Sequence, residues 1–238
     1  MKIKLREDVL KDQNLAAAFN RETFKKNHTL VINLMSSPGA GKTTLLEETI
    51  KALRNEFHMA VIEGDLATDL DAERLRSLGV KTVQINTAGG CHLDARMIAK
   101  TLPDFKLDTI DILLIENIGN LVCPASYDLG QDYKVVVLSV PEGNDKIPKY
   151  PVMFRRTDVT IINKIDLLPY VSFNLELAKK NLKEINPKAQ LKALSAKTGE
   201  GMEKWINWIK DAYRQCTNSK SNREKEDTGS CFSENEGR

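Results

Sequence analysis

A glycine-rich segment, SSPGAGKTT at residues 36–44, has the residue types of a phosphate-binding loop. It matches the GxxxxGK[ST] pattern, except that Ser36 stands in place of the first glycine. Serine can begin this turn if the position does not need a positive φ. Backbone N–H groups and a helix N-terminus attract phosphate, so we expect Lys42 to reach the β- and γ-phosphates and Thr43 to bind Mg²⁺. The residues predicted to contact the phosphates are Gly39, Ala40, Gly41, Lys42, Thr43 and Thr44.

Two acidic clusters that follow apolar runs supply carboxylates for a magnesium ion. ENIG at residues 116–119 has the form of the DxxG element of GTPases, with glutamate in place of aspartate. Glu116 can hold a magnesium-bound water, and the N–H of Gly119 can contact the γ-phosphate. Asp65 is the second magnesium candidate, because strand ends collect ligands beside such a loop. Taken alone, each acid is more often a helix cap or a solvated charge. The predicted catalytic residues are Lys42, Thr43, Asp65 and Glu116.

The sequence NKID at residues 163–166 predicts a guanine-binding element. Its aspartate can accept hydrogen bonds from N1–H and the 2-amino group of guanine, which adenine cannot supply. A site built around such groups rejects the wrong base, because its own polar groups would stay unpaired. SAK at residues 195–197 follows a later strand, where its backbone would reach the guanine O6. These elements predict GTP and disfavour an ATP-dependent kinase. The base contacts are assigned to Asn163, Lys164, Asp166, Ser195, Ala196 and Lys197.

Cys91, His92 and Cys123 form the candidate site for a soft metal ion. Thiolate and imidazole suit Zn²⁺, Ni²⁺ and Cu⁺ rather than Mg²⁺. By composition alone, two buried apolar cysteines and a histidine at a helix start would be the simpler interpretation. Their positions favour metal: the first two follow a strand in a glycine-rich loop, and the third comes soon after ENIG. Three ligands fall short of a closed structural zinc site, which favours a transfer site or one completed by a second subunit.

Seven short β-branched runs predict the strands that position these motifs, and stretches with helical spacing lie between or after them. The runs are 30–35, 59–64, 81–86, 111–117, 133–140, 159–164 and 189–195, and the helical stretches are 43–57, 92–102, 174–185 and 201–213. Nearly continuous apolar strands alternating with helices predict an α/β fold of the P-loop NTPase type. Its mainly parallel sheet would have about seven strands, flanked by helices on both faces. In the last helix, a core-facing side is predicted at Met202, Trp205, Ile206 and Ile209.

Composition divides the chain into three regions. Residues 1–28 form a polar helical extension, 29–215 the P-loop GTPase domain, and 216–238 a polar tail that we expect to be disordered. The predicted apolar side of the extension consists of Leu15, Ala16 and Phe19.

Charge and hydropathy exclude several classes of protein. The 35 basic and 33 acidic residues give a net charge of +2, without the basic surplus of a nucleic-acid binder. No apolar run reaches membrane-spanning length, and the first residues lack the apolar core of a signal peptide. We therefore expect a cytoplasmic protein that binds neither nucleic acid nor membranes. Its four cysteines would be free thiols or ligands.

Taken together, the motifs resemble the HypB family, the GTPases that assist nickel insertion during maturation of nickel–iron hydrogenase. The resemblance spans roughly residues 30–202, in SSPGAGKTTLL, IEGD, GGCHLDA, LLIENIGNLVCP, SVPEGNDK, NKIDLLPY and SAKTGEG. It implies a parallel-sheet GTPase that forms a homodimer in the GTP state, with a nickel or zinc site at the dimer interface built from Cys91, His92 and Cys123. It implies as partners a small zinc-containing nickel metallochaperone and the hydrogenase large-subunit precursor. Residues 141–149 resemble a loop of the family, and we expect one of its lysines to support the dimer.

Other interpretations stay open at this point. The N-terminus has neither the cysteine cluster nor the histidine-rich stretch of some family members, which disfavours tight metal storage. A urease-type accessory GTPase usually has a C-P-H motif, which is absent, and a cobalamin-mutase-type GTPase would not need Cys91 and His92. A module that binds GTP without hydrolysing it is a third alternative. Hydrolysis should be slow without a partner, because Asn120 stands where many fast GTPases carry glutamine and no arginine finger is identified.

Overall fold

The computed structural model describes residues 2–65, 70–87 and 89–229, with side chains for 11–65, 70–87 and 89–218. The end of the predicted tail, residues 230–238, lies outside the described residues. The disorder predicted for residues 216–238 stays a prediction.

Seven strands form one sheet in which every neighbouring pair is parallel, as the sequence predicts. The spatial order is β3-β2-β4-β1-β5-β6-β7, so the strand that leads into the phosphate loop lies at the centre. The strands are β1 Leu30–Ser36, β2 Met59–Asp65, β3 Lys81–Asn86, β4 Ile112–Gly119, β5 Tyr133–Ser139, β6 Val159–Asn163 and β7 Gln190–Ala193.

Eight helices cover the two faces of the sheet in the described residues. They are α1 Lys2–Lys26, α2 Lys42–Leu53, α3 Leu70–Arg76, α4 Ala95–Thr101, α5 Lys146–Lys149, α6 Pro151–Arg155, α7 Leu175–Ile185 and α8 Met202–Gly229. Sequence periodicity does not single out the short helices α3, α5 and α6. None of the described helices has both the length and the apolar character required to cross a membrane.

The central strands are apolar on both faces because each face meets a helix layer. In β1, Ile32 and Leu34 face a core that α2 and α8 complete, while Val31 faces the core beneath α1 and α4. Around β5 and β6, the second face is covered by α6 and α7. Burial on both faces explains why the runs are continuous rather than alternating.

The buried side of α1 is not the predicted apolar side. Leu15 is 62% exposed, Phe19 is 59% exposed and Ala16 is half-buried, so that prediction is wrong. The side chains of α1 that are buried are Gln13, Ala17, Asn20 and Phe24. Both Gln13 groups and the Asn20 Nδ2 are hydrogen-bonded to backbone groups, which offsets much of the cost of burying them, whereas Asn20 Oδ1 is buried without a partner.

Helix α8 anchors the end of the domain through the predicted core residues. Trp205 and Ile209 are fully buried, Met202 is almost so, and Ile206 packs against the same core. The indole N–H of Trp205 donates to Thr49 Oγ1 of α2 at 2.9 Å. The buried side of this helix continues to Cys216.

We expect Trp205→Ala to lower the free energy of unfolding by about 3–5 kcal/mol, because it leaves a large cavity and removes the hydrogen bond that Thr49 Oγ1 accepts. Urea unfolding of the nucleotide-free protein measures this change. Tyr170→Ala, at a side chain that is 82% exposed, is the control and should change stability by less than about 0.5 kcal/mol. Equal effects of the two substitutions would contradict the assignment of Trp205 to the core.

Candidate functional site

The segment between β1 and α2 has the backbone of a phosphate-binding loop. Gly39 and Gly41 have φ of +75° and +91°, values that favour glycine. A Cβ added to Gly41 would lie 2.7 Å from Asn163 Nδ2, so a side chain there would displace a residue of the base-binding element. Among described non-glycine residues, a positive φ occurs only at His28 and Lys164. Ser36 therefore begins the turn without strain.

Lys42 is buried and turned toward the start of the loop. Its Nζ donates to Ser36 Oγ at 2.8 Å, so the serine that replaces glycine supplies a partner for the ammonium group. Burial lowers the pKa of Lys42, while the charge of Glu116 opposes that shift. An ammonium group held in this way is positioned to bind a phosphate.

The two strongest magnesium candidates contact each other. Thr43 Oγ1 donates to Glu116 Oε1 at 2.8 Å, and Glu116 is only 4% exposed. Its second oxygen, Oε2, is buried without a hydrogen-bond partner. Burial raises the pKa of Glu116 to about 7. A buried carboxylate oxygen beside a threonine hydroxyl fits a divalent cation, because oxygen ligands are what Mg²⁺ binds.

A cavity of about 500 Å³ opens over the phosphate loop and the ends of β2 and β4. The predicted residues Gly39, Gly41 and Thr44 line it, whereas Ala40 is buried and is not part of its wall. Other lining residues are Lys42, Thr43, Asp65, Arg74, Glu116 and Gly119. The sequence-predicted phosphate and magnesium residues are thus brought to one cavity, apart from Ala40.

Arg74 lines this cavity although sequence analysis did not identify it. Its guanidinium binds Glu47 at 3.0 and 2.8 Å through two nitrogens and Asp71 at 2.9 Å through the third. It lies in α3, a helix of only seven residues without a recognisable motif. No sequence pattern could have found it, because its place depends on how α3 packs beside α2.

The base-binding residues assemble around the ends of β6 and β7. Asn163 is buried, donates to the carbonyl of Ala40 at 2.9 Å and accepts from the N–H of Ala196 at 3.1 Å. Lys164 Nζ donates to the carbonyl of Gly39 at 2.6 Å. The predicted base contacts and the phosphate loop therefore form one connected network.

Asp166 is oriented from the second predicted base segment. Ser195 Oγ donates to Asp166 Oδ1 at 2.6 Å, which holds one carboxylate oxygen and leaves the other available. Ser195 is buried, whereas Lys197 is exposed. Such an arrangement suits a carboxylate that must accept a pair of hydrogen bonds in a fixed direction.

Cys91, His92 and Cys123 come together in the segments that follow β3 and β4. Their ligand atoms all lie within 4.8 Å of one another, and Cys91 Sγ is 3.5 Å from His92 Nδ1. A side-chain hydrogen bond with Cys123, then burial, raises the pKa of Cys91. Burial lowers the pKa of His92, so its imidazole is neutral and able to bind a metal ion near pH 7. The His92 ring stacks on Tyr127 with centroids 3.8 Å apart.

Asn117 and Asn120, which follow Glu116, connect the Cys91–His92–Cys123 cluster to the nucleotide cavity. Asn117 Oδ1 accepts from the N–H of Leu93 at 3.2 Å. Asn120 Nδ2 donates to the carbonyl of Cys91 at 3.2 Å, and its Oδ1 accepts from the N–H of Val122 at 2.8 Å. Asn120 is thus engaged with the cysteine segments rather than with the cavity.

The phosphate loop is also tied to the loop that follows β5. Glu142 caps the end of β5 by accepting from the N–H and the hydroxyl of Ser139 at 2.8 and 2.9 Å. The same carboxylate accepts from the hydroxyl of Ser37. The sequence leads us to expect that this loop supports a dimer, and its bond to the phosphate loop was not predicted.

The comparisons with known proteins indicate one family. Residues 30–192 match the model of the CobW/HypB/UreG nucleotide-binding domain. The hydrogenase maturation factor HypB of Escherichia coli (strain K12) is 52% identical over 202 residues, which cover 85% of this chain and 70% of the relative.

Solved structures agree with these matches. The crystal structure of hydrogenase maturation factor HypB from Archaeoglobus fulgidus has a TM-score of 0.81 at 41% identity, and the match covers 85% of this chain and 99% of that one. The crystal structure of HypB from Helicobacter pylori in complex with nickel has a TM-score of 0.81 at 40% identity, covering 86% and 96%.

We expect the folded, nucleotide-free protein to lose stability on going from pH 5 to pH 8 because of Glu116. Its pKa rises from about 4.5 unfolded to about 7 folded, so the folded state binds the proton more tightly and stability falls as pH rises between these values. Relative to Glu116→Gln, the wild type should lose on the order of 2–3 kcal/mol of unfolding free energy over this range.

Urea unfolding at the two pH values measures the difference. Glu184→Gln, at an exposed carboxylate on α7, is the matched control and should follow the wild type. Parallel pH profiles for the wild type and Glu116→Gln would show that the buried carboxyl does not titrate in this range.

Proposed function

The chain belongs to the HypB family within the CobW/HypB/UreG nucleotide-binding proteins, and we propose that it is a GTP-hydrolysing metallochaperone for nickel–iron hydrogenase. In this role it supports nickel insertion into the large subunit. The observation that carries the proposal is the cluster of Cys91, His92 and Cys123, whose ligand atoms lie within 4.8 Å beside the strand that lines the nucleotide cavity. The relative of Escherichia coli is named a hydrogenase maturation factor, which favours this client over a cobalamin enzyme.

The chemistry of the cluster suits a transferred ion. Two thiols and an imidazole select soft or borderline ions such as Ni²⁺ or Zn²⁺. Three ligands leave the coordination incomplete, so the ion can pass to another protein or be completed by a second protomer. Since the pKa of Cys91 is raised, binding a metal ion must release its proton, and affinity should increase with pH.

GTP is the proposed nucleotide. The Ser195–Asp166 hydrogen bond supports guanine selection, because it orients the carboxylate that would pair with N1–H and the 2-amino group. Thr43, Glu116 and Asp65 would hold Mg²⁺, which supplies positive charge that stabilises the transferring phosphoryl group. Lys42 would neutralise charge on the β- and γ-phosphates.

The coupling between nucleotide and metal rests on the end of β4. Gly119 lines the cavity where a γ-phosphate would be sensed, and Asn120 next to it bonds to the carbonyl of Cys91. A shift of Gly119 on hydrolysis would therefore be transmitted to the cysteine loop. If the bound nucleotide changes the affinity for metal, the metal must change the affinity for that nucleotide by the same coupling free energy.

The proposed homodimer follows from the incomplete coordination of the metal cluster. GTP would favour a homodimer in which two copies of the cluster meet, and a lysine in residues 141–149 would support the contact. The proposed delivery partners are a small zinc-containing nickel metallochaperone and the hydrogenase large-subunit precursor. Both agree with the maturation role in the names of the relatives.

Hydrolysis by the isolated protein should be slow. Asn120, at the position where many GTPases carry a glutamine, is bonded to Cys91 and Val122 and so does not orient a water. Arg74 is the only arginine among the described residues that line the cavity, and Glu47 and Asp71 hold its guanidinium. An arginine supplied by a partner could raise the rate by ~10³–10⁵.

The main test is titration of Ni²⁺ and Zn²⁺ into the protein bound to GDP or to a non-hydrolysable GTP analogue, with mass followed by light scattering. We expect metal affinity and dimerisation to differ between the two nucleotide states. Cys91→Ala should weaken metal binding at least tenfold, since even outer-shell changes cost about 10–100-fold, and should leave GTP turnover largely intact. Lys42→Ala should abolish turnover and leave metal binding in place.

Each outcome separates one part of the proposal. Equal metal affinities in the two nucleotide states would refute the coupling. Failure of the wild type to bind either ion would refute the metal cluster and leave a GTPase chaperone without cargo. Loss of both activities in Cys91→Ala would identify a structural thiol instead of a ligand.

We expect Asn120→Ala to uncouple the two sites without removing either. Because a hydrogen bond contributes about 1 kcal/mol, the ratio of metal affinities between the GDP and analogue states should fall about fivefold, while turnover is retained. Metal titration of the variant in both states measures the ratio. Asn174→Ala, at the N-cap of α7, is the control and should keep the wild-type ratio. An unchanged ratio in Asn120→Ala would place the coupling elsewhere.

A further inference from the structure

The buried face of α1 carries two amide side chains in an otherwise apolar contact. Gln13 is 4% exposed and Asn20 is fully buried, with Ala17 between them and Phe24 beyond. The residues at 13 and 20 are seven apart, which places them on one side of a helix. Burying amides in this way is costly unless they are paired, so their partners should explain why they are there.

Both amides bridge the same two segments of chain. Gln13 Oε1 accepts from the N–H of Ala95 at 2.8 Å, and its Nε2 donates to the carbonyl of Asp128 at 2.6 Å. Asn20 Nδ2 donates to the carbonyl of Ala95 at 2.8 Å and to that of Leu129 at 3.0 Å. Each side chain therefore holds the start of α4 against residues 128–129.

The second segment packs closely on α1. Gly130 has φ of +89°, and a Cβ at this position would lie 2.7 Å from Asn20 Cβ and 2.8 Å from the carbonyl oxygen of Ala17. The backbone at Gly130 thus runs against α1 with no space for a side chain at this position. Arg21 adds an exposed ion pair with Asp128 at 2.6 Å, which contributes little to stability.

These two segments are the ones that carry the metal ligands. Ala95 lies three residues after His92 and four after Cys91, while residues 128–129 follow Cys123 and Tyr127. Tyr127 stacks on His92, so the second segment also sets the plane of the imidazole. The distance between the ligand atoms depends on how these segments are held together.

We propose that α1 is a positioning element of the metal site, in which Gln13 and Asn20 fix the separation of the Cys91–His92 loop and the Cys123 loop. This inference rests on the proposed metal-binding function and assigns a role to residues that touch no metal ligand themselves. All four hydrogen bonds of the two amides go to Ala95, Asp128 and Leu129. The nucleotide cavity should therefore be unaffected by their loss.

The test uses Ni²⁺ as the probe and the full chain with Gln13→Met or Asn20→Asp. Gln13→Met keeps the shape of the side chain and removes both hydrogen bonds, while Asn20→Asp removes at least one of the two donated ones. We expect Ni²⁺ affinity, measured by competition with a chelating indicator, to fall about tenfold, with a weaker or shifted thiolate-to-nickel charge-transfer band. GDP affinity should stay at the wild-type value.

Phe19→Ala is the matched control, because this residue lies on the exposed side of the same helix. It should keep the wild-type Ni²⁺ affinity and spectrum. Should Gln13→Met or Asn20→Asp fail to bind GDP, the milder Gln13→Glu is measured in its place, since it keeps the acceptor for Ala95 and loses only the bond to Asp128.

Unchanged Ni²⁺ affinity and spectrum in a GDP-binding variant would overturn the proposal, and so would a parallel loss of Ni²⁺ and GDP affinity across the variants, including Gln13→Glu. These results differ from failure of the proposed function. If the wild type itself binds no Ni²⁺, the metal function fails. If the wild type binds and the variants bind equally well, only the positioning role of α1 fails.

Discussion

The buried hydrogen bond between Thr43 and Glu116 joins the first turn of α2 to the end of β4. Both the nucleotide cavity and the candidate metal site depend on this contact. It holds a carboxylate in the interior, where burial favours the protonated form, until a cation can share its charge. Close packing reinforces the contact, since a Cβ at Gly119 would lie 3.0 Å from Pro38 Cα. The end of β4 is thus packed directly against the phosphate loop, so a phosphate bound in that loop would lie next to it.

The metal cluster depends on the same strand end through amide side chains. Asn117 is buried and binds the N–H groups of Ile118 and Leu93 with one oxygen, so β4 and the metal loop share an acceptor. These bonds end on backbone atoms, which move with a whole segment instead of one side chain. A discrete shift of β4's end would therefore carry the ligand loop with it, which is what a two-state switch requires.

Motifs confined to a short stretch of chain could be predicted, because each couples its chemistry to a local backbone requirement. Gly41, Lys42 and Thr43 are such a case, and the seven parallel strands were predicted from apolar runs buried on both faces. Contacts between distant segments could not be predicted. Gln13 and Asn20 have the composition of a solvated helix side, and their partners at Ala95, Asp128 and Leu129 offset part of the cost of burying them.

The contacts of two further side chains could not be predicted from the sequence for the same reason. Asn120 directly follows the ENIG motif, yet its side chain bonds to the segments that carry Cys91 and Cys123. Arg74 has no motif around it and reaches the cavity through the packing of α3 beside α2. Motifs identify which residue types are near a site, whereas tertiary packing decides which atom each side chain meets.

The bridge made by α1 also bears on the order of synthesis. Gln13 leaves the ribosome before its partner Asp128, which is 115 residues further along the chain. At ~5–20 residues per second, the helix must wait on the order of 10 s before its amides can be paired. During this interval the amides of Gln13 and Asn20 are solvated where Asp128 and Leu129 will later bind. The loop of Cys91 and His92 is then held by α1 only, without residues 128–129. The three candidate ligands can therefore come together only after β4 and Cys123 have emerged, so a nascent chain would offer soft metal ions no assembled site before that point.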